Sequence, residues 1–179
     1  MNGDLLQRSR YFFSFHDHAI SKTDEEIFEI FIFQWLAMII GFTDLISYQR
    51  SIPHNIKGDQ EILDLFIRYC PHESKQISDS LSAIEISENK RYLARRKSKR
   101  SKDSIVEGSR EQGKSLAYSW LNGRSDVKEF ENFLVVSRIV RNNLFHGKKS
   151  FIDDSDLELI RNVTPILNVI NMQIRGLLH

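Results

Sequence analysis

The segment from Ile27 to Phe42 constrains the fold of this chain more than any other, because its apolar residues cover nearly the whole circumference of a helix. Phe31 and Trp35 share one face, and other bulky residues occupy the remaining faces. The run covers 16 residues, which is shorter than the roughly 20 needed to cross a bilayer. It is therefore predicted to be a buried helix that serves both the core and a subunit interface.

Thr23 and Glu26 mark the start of this helix. A threonine followed three residues later by a glutamate has the spacing of a capping box, in which the two residues satisfy backbone N–H groups of the first turn. Asp24 and Glu25 also suit the positive end of a helix. The apolar pattern continues to about Ser47, so the helix is predicted to end there.

The rest of the chain shows helical rather than strand periodicity, and aromatic residues at helical spacing are assigned to the core. Pro165 is predicted to kink the last helix or to break it after Thr164, because proline removes a backbone donor. This pattern predicts an all-α fold, an antiparallel bundle of about four to five helices in a single domain, residues 1–179. The remaining predicted helices cover 2–15, 59–70, 72–89, 116–121, 126–147 and a stretch from the acids at 153–156 toward 178.

Composition sets limits on size, partners and compartment. The 179 residues, 41% of them hydrophobic, are enough for one domain with its own core. A formal charge of +1 gives a weak overall field, so attraction to nucleic acid has to come from a local patch. With Cys70 as the single cysteine and no signal-type apolar run in the first residues, we expect a reducing, cytoplasmic location and no membrane.

The strongest basic patch is Lys90 to Lys102, which holds eight lysines and arginines in thirteen residues. Such a block repels itself and is typical of a solvated, mobile segment, here an insertion over residues 90–115. It also suits RNA, because phosphates release counterions when they bind lysine and arginine. Both interpretations remain open. The residues that would contact RNA are Lys90, Arg91, Arg95 and Arg96.

A second concentration of polar side chains, Arg141 to Lys149, follows a strongly apolar segment and has the composition of a phosphate site. The imidazole of His146 titrates near neutral pH, so it can exchange a proton with a ribose 2′-hydroxyl or a leaving 5′-oxygen. Arg141 stays charged and can donate two parallel hydrogen bonds to a phosphate. Asn142 lies four residues before His146, where it can orient the ring or hold the substrate.

Helical geometry limits what one copy of this segment can do. At about 100° per residue, Arg141 and His146 are about 140° apart on an ideal helix, so one continuous helix does not direct both at the same atom. A bend before Gly147, or a second copy of the chain, would complete the site. Lys148 and Lys149 are either further phosphate contacts or charges that suit a helix C-terminus.

The residues Arg141, Asn142 and His146 resemble the motif of the HEPN domain family, an arginine followed after four to six residues by a histidine, commonly with a polar residue directly after the arginine. The sequence Arg-Asn-Asn-Leu-Phe-His-Gly at residues 141–147 is similar to the motif of one prokaryotic branch of the family. The resemblance implies a small α-helical, often dimeric protein and a metal-independent RNA endonuclease. Toxin members often have a tyrosine two residues after the histidine, whereas this chain has Lys148, so neutralisation through that tyrosine does not carry over.

Spacing alone has little weight, because Arg10 and His16 fit the same loose pattern. Arg141 differs in the apolar helix that precedes it and in its polar neighbours. His16 and His18 flank Asp17 and suggest a metal ligand pair. Because no second cluster with zinc-like spacing accompanies them, a surface or capping role is favoured.

Together these features predict a homodimeric HEPN ribonuclease that acts as a toxin or defence effector and needs no cofactor or metal. Arg141 would stabilise the pentacoordinate phosphate, His146 would serve in acid/base catalysis or position the 2′-hydroxyl, and Asn142 would support them. The expected partners are RNA, a second copy of the chain, and an antitoxin or other regulatory protein. The alternative is a non-catalytic helical module whose surface binds RNA or a partner protein.

Overall fold

The structure of the chain, a computed structural model, describes residues 9–49, 58–81, 84–90, 92, 133–134, 137–138, 140–142, 144–145 and 154–179. These residues are 92% helical and include no strand, which confirms the all-α prediction. The α-helices with defined bounds are α1, Arg10–Ile20; α2, Ile27–Gln49; α3, Asp59–Tyr69; α4, Pro71–Ser80; and α5, Asp154–Leu178. The predicted helix over 116–121, the first residues of the predicted helix over 126–147 and nearly all of the insertion over 90–115 lie outside the described residues.

The chain divides into two compact units, Met1–Ser80 with Leu167–His179, and Leu81–Ile166. Helix α5 is continuous through Pro165, so the predicted break after Thr164 does not occur. Buried apolar side chains on both sides of the proline explain why, since their burial outweighs the loss of one backbone hydrogen bond. A single domain over residues 1–179 stays a prediction.

Helix α1 extends to Ile20, beyond the predicted end at Phe15. Its buried residues are Phe12, His16 and Ala19, spaced by four and three residues. The buried face therefore continues past Phe15 into a polar stretch. The sequence prediction ended the helix too early because the two histidines of that stretch resemble a solvated connection.

Helix α2 follows the predicted cap. Residues Asp24–Glu26 form a 3₁₀ turn, and the Thr23 N–H donates to Glu26 Oε2 over 3.2 Å. One face of α2 is buried in the core, while Leu36 on another face is 38% exposed, and the subunit interface stays a prediction. The buried residues are Phe31, Gln34, Trp35, Ala37, Met38, Gly41, Phe42, Leu45 and Ile46.

By length and composition alone, the segment Asp24–Gln49 could cross a membrane, since its mean hydropathy reaches 1.8. Half of the most apolar 18-residue stretch in this segment is buried inside the protein. The buried side chains include Gln34, whose amide is hydrogen-bonded to Asn168 and Asn171. Core helices of soluble proteins and signal sequences share this composition, so the cytoplasmic location stays a prediction.

Helices α3 and α4 complete the described part of the first unit. The ring of Phe66 on α3 stacks on Phe42 of α2, with centroids 4.1 Å apart. Trp35 Nε1 donates to Asp59 Oδ2 over 3.1 Å, which ties the start of α3 to α2. Pro71 begins α4, a position where its missing N–H costs nothing. Burial raises the pKa of the Cys70 thiol to about 11, so this cysteine stays protonated and unreactive near neutral pH.

The second unit contains the described residues between 133 and 145, here called the motif segment. Its buried apolar residues include Phe133 and Leu144, and α5 contributes Ile160 and Val163 to the buried set of the same unit. Asn89 Nδ2 donates to Asn162 Oδ1 over 3.2 Å, which connects the segment before the basic insertion to α5.

Candidate functional site

Arg141 lies in the motif segment, where residues 140–142 and 144–145 are helical. Its Nη1 donates to Asn142 Oδ1 over 2.8 Å, and both side chains are half-buried. Because the amide oxygen accepts this bond, Asn142 restricts the orientation of the guanidinium plane. An arginine held in this way is suited to binding a phosphate in one fixed direction.

The buried residues of the motif segment explain the position of Arg141. Phe133, Ser137, Val140 and Leu144 are spaced by four, three and four residues, and all are buried. Arg141 follows this stripe by one residue, so it lies at the edge of the buried face. The side chain is accordingly only partly exposed, and the Nε atom of its guanidinium is buried.

Phe145 is 62% exposed. It lies four residues after Arg141 and shares its face of the helix, and Arg141 Cζ is 5.1 Å from the centroid of its ring. Register alone did not indicate this exposure, since Leu134, eleven residues earlier and on nearly the same face of an ideal helix, is buried. The motif segment thus carries an exposed aromatic ring beside its arginine.

The structure brings together Arg141, Asn142 and Phe145, and the roles of all the predicted site residues stay predictions. Lys90 lies within the part of the chain that the structure describes. Its Nζ donates a hydrogen bond to the Leu81 carbonyl over 3.1 Å, within the second unit. The residues of the predicted site that lie outside the described part of the chain are His146, Lys148, Lys149, Arg91, Arg95 and Arg96.

The first unit contains a polar network that sequence reasoning missed. Gln34 Nε2 donates to Asn168 Oδ1 over 3.0 Å. Arg175 closes the network toward the surface, where its Nη1 lies 2.5 Å from Asp17 Oδ1. His16 lies between Asn168 and Arg175 and contacts both. Polar side chains therefore join α1, α2 and the C-terminal part of α5.

His16 is fully buried, so the predicted surface or capping role is wrong for this residue. Arg175 Nη1 is 3.3 Å from His16 Nδ1, and a guanidinium can only donate, so Nδ1 accepts and the proton is on Nε2. Nε2 in turn lies 3.4 Å from the Asn168 oxygen. Burial lowers the pKa of His16; the Asn168 hydrogen bond raises it, and the charge of Arg175 lowers it further.

Asp44 on α2 is a second titratable group with a shifted pKa. Burial raises the pKa of its carboxyl to about 6, and the nearby Ser9 hydroxyl has a smaller, opposite effect. An acid with this pKa changes its charge close to neutral pH, as many catalytic acids do. The folded protein binds this proton more tightly than the unfolded chain does. The stability that protonated Asp44 contributes is therefore lost as the pH rises through about 6.

We expect the free energy of unfolding to fall, relative to that of His16→Gln, as the pH is lowered from about 7 toward 5. The pKa of His16 is lowered in the folded state, so the unfolded chain binds the proton more readily. The stability from neutral His16 is therefore present above about pH 6.5 and lost below it. Glutamine supplies an acceptor for Arg175 and a donor for Asn168 without titrating.

Asp44 is present in both proteins, so its opposite pH dependence cancels in this comparison. Thermal unfolding of the two proteins from about pH 5 to pH 8 measures the difference. A difference that stays constant over that range would contradict the neutral, Nε2-protonated assignment of His16.

Arg10 and His16, the other pair with the motif spacing, do not form a site. The Arg10 side chain is exposed and its Nη2 donates to the Tyr11 hydroxyl over 3.0 Å, whereas His16 is buried. His18 is exposed, with its ring centroid 4.3 Å from that of Phe33. Within the described ranges, no three or more histidine, cysteine, aspartate and glutamate side chains group as a metal site.

Comparisons of this chain with protein-family models, with curated proteins and with solved structures give no match.

Proposed function

We propose that this chain is a metal-independent RNA endonuclease of the HEPN type, which acts as a toxin or defence effector through a composite site in a homodimer. The observation that carries the proposal is the Arg141–Asn142 hydrogen bond of 2.8 Å, which orients a guanidinium five residues before His146 in the sequence. Orientation matters because a preformed cation stabilises charge in the transition state without reorganising first.

Arg141 acts on the phosphate. Cleavage by a neighbouring 2′-hydroxyl passes through a pentacoordinate phosphate whose nonbridging oxygens gain negative charge. A guanidinium can donate two parallel hydrogen bonds to those oxygens, and these bonds strengthen as the charge develops. Asn142 acts through Arg141 by fixing the guanidinium plane.

His146 acts on protons. As a base, it takes the proton from the 2′-hydroxyl, whose oxygen then attacks phosphorus as the bond to the 5′-oxygen breaks. The leaving 5′-oxygen takes a proton from the conjugate acid. The products are a 2′,3′-cyclic phosphate and a 5′-hydroxyl, and an imidazole is suited to both transfers because it titrates near neutral pH.

A second copy completes the site in this proposal. Residues 144 and 145 are still helical, and continuation of that helix would leave Arg141 and His146 about 140° apart. In a two-fold dimer each phosphate can meet the arginine of one copy and the histidine of the other. Helix α2 offers an apolar surface for pairing, a stripe of partly exposed, uncharged residues: Ile32, Leu36, Ile39 and Ile40.

The test is cleavage of mixed RNA by the purified protein in EDTA, with wild type beside His146→Ala. We expect wild type to cleave and to leave 5′-hydroxyl and 2′,3′-cyclic phosphate ends, and His146→Ala to lose cleavage. His72→Ala is the matched control, since this histidine is exposed at the start of α4. Cleavage that is equal in wild type and His146→Ala would reject the proposal.

The second candidate function is a non-catalytic module that binds RNA or a partner protein. The exposed ring of Phe145 favours it, since large exposed aromatic side chains are common at binding sites. This candidate predicts salt-sensitive RNA binding or a stable complex with another protein, without turnover. Arg141→Ala and His146→Ala would then leave the phenotype of the cell intact.

A further inference from the structure

Phe145 differs from the other described aromatic residue of the motif segment. Phe133 is fully buried, whereas Phe145 is 62% exposed. A phenylalanine left in water gains nothing from the hydrophobic effect, and with 62% of the residue exposed, much of its ring is open to a partner other than Arg141. Its neighbour on the same helix face is Arg141, whose Cζ is 5.1 Å from the ring centroid.

The two side chains present different chemistry within one helical turn. Arg141 carries the charge that attracts a phosphate, and its guanidinium is oriented by Asn142. Phe145 carries a flat π surface, which any nucleobase can stack on irrespective of its hydrogen-bonding edge. A nucleotide placed here would meet an aromatic surface with its base while its phosphate lies near the guanidinium.

We propose that Phe145 is a base-stacking residue and that the substrate is single-stranded RNA or an unpaired loop. In duplex RNA the bases are already stacked on each other, and proteins reach mainly the backbone and the shallow groove. A stacking residue beside the phosphate site therefore selects unpaired nucleotides. This inference rests on the proposed nuclease function for the location of the cut, whereas stacking itself is measurable without cleavage.

The stacking test compares Phe145→Leu, Phe145→Trp and Tyr48→Leu. Leucine keeps an apolar side chain but removes the π surface, and tryptophan restores it. Tyr48→Leu is the matched control, because Tyr48 is an aromatic residue on α2 with 63% exposure. Circular dichroism of each variant checks that the helical fold is retained.

Two measurements separate the possible results. In the His146→Ala background, binding of a fluorescent single-stranded oligoribonucleotide is compared with binding of the same sequence in a duplex. We expect Phe145→Leu to weaken single-strand binding about tenfold or more, Phe145→Trp to restore it, and duplex binding to change little. With His146 present, we expect Phe145→Leu to raise KM by a similar factor and to leave kcat nearly unchanged.

Each outcome bears on one of the two proposals. Cleavage by wild type with unchanged KM in Phe145→Leu would overturn the stacking role and leave the nuclease intact. An absence of cleavage together with Phe145-dependent single-strand binding would overturn the nuclease and support stacking. Equal binding of single strand and duplex by all variants would overturn the stacking role, and loss of a protein complex in Phe145→Leu with unchanged RNA binding would assign this ring to a protein partner instead.

Discussion

Replacing Arg141 with alanine is expected to lower the rate of RNA cleavage by about 100-fold to 1,000-fold, the range found when one preorganised donor to transition-state charge is removed. The side chain is half-buried at the edge of the core stripe, so its truncation should leave the helical fold intact. Arg141→Lys keeps the charge but cannot keep both the bond to Asn142 and a bidentate contact to phosphate. We therefore expect lysine to restore only part of the rate.

Single-turnover cleavage of a labelled RNA measures this effect, with Arg68→Ala as the matched control. Arg68 is an exposed arginine on α3 whose guanidinium lies 5.5 Å from the Tyr69 ring, so it repeats the arginine–aromatic pairing away from the motif. A rate for Arg141→Ala within about threefold of wild type would contradict its role, because such a change corresponds to less than about 1 kcal/mol.

Mixing Arg141→Ala with His146→Ala shows whether two copies share a site. If each site takes its arginine from one copy and its histidine from the other, a mixed dimer contains one site with both residues and one site with neither. Random exchange makes about half of the dimers mixed, so activity should return to about one quarter of the wild-type level. Mixtures as inactive as either variant alone would indicate that each copy supplies both residues of its own site.

The elements that could be predicted from sequence depend on residues that are close together in the chain. The cap of α2 needs only Thr23 and Glu26, which interact within one turn. Within the core stripe of the motif segment, Phe133 and Val140 follow from the spacing of apolar residues, whereas the buried Ser137 does not. Such local patterns decide helix positions but not side-chain partners: Asn142 was predicted to orient His146 or to hold the substrate, and its amide oxygen accepts from Arg141.

The features that sequence reasoning missed depend on tertiary partners. His16 resembled a surface residue because its neighbours in the chain are polar, yet its partners Asn168 and Arg175 are 152 and 159 residues away. Pro165 was expected to disturb α5 because proline is unfavourable locally, and burial on both sides of it outweighs that effect. The exposure of Phe145 had no local signal either, since Leu134 on nearly the same face of the helix is buried.

Gly41→Ala is expected to destabilise the first unit, because the added methyl group would enter space that other side chains already occupy. A Cβ at this position would lie 2.5 Å from Ile174 Cγ2 and 2.9 Å from Phe12 Cδ2. Both neighbours are fully buried, and Cγ2 belongs to a β-branched side chain with little rotational freedom. Overpacking of this kind costs about 3 kcal/mol at the upper end of its usual range, and the better helix propensity of alanine offsets about 1 kcal/mol.

The net loss should therefore be about 2 kcal/mol, or a fall in Tm of about 4 to 8 °C for a chain of this size. Gly176→Ala is the matched control: Gly176 is also in a helix, but a Cβ there meets nothing within 4 Å. We expect this variant to gain about 0.5 to 1 kcal/mol from the reduced freedom of its unfolded chain. Because the close approach at Gly41 involves Ile174, the loss of stability caused by Gly41→Ala should be smaller when Ile174 is also replaced by alanine. An equal loss with Ile174 and with Ile174→Ala would contradict this packing of α5 against α2.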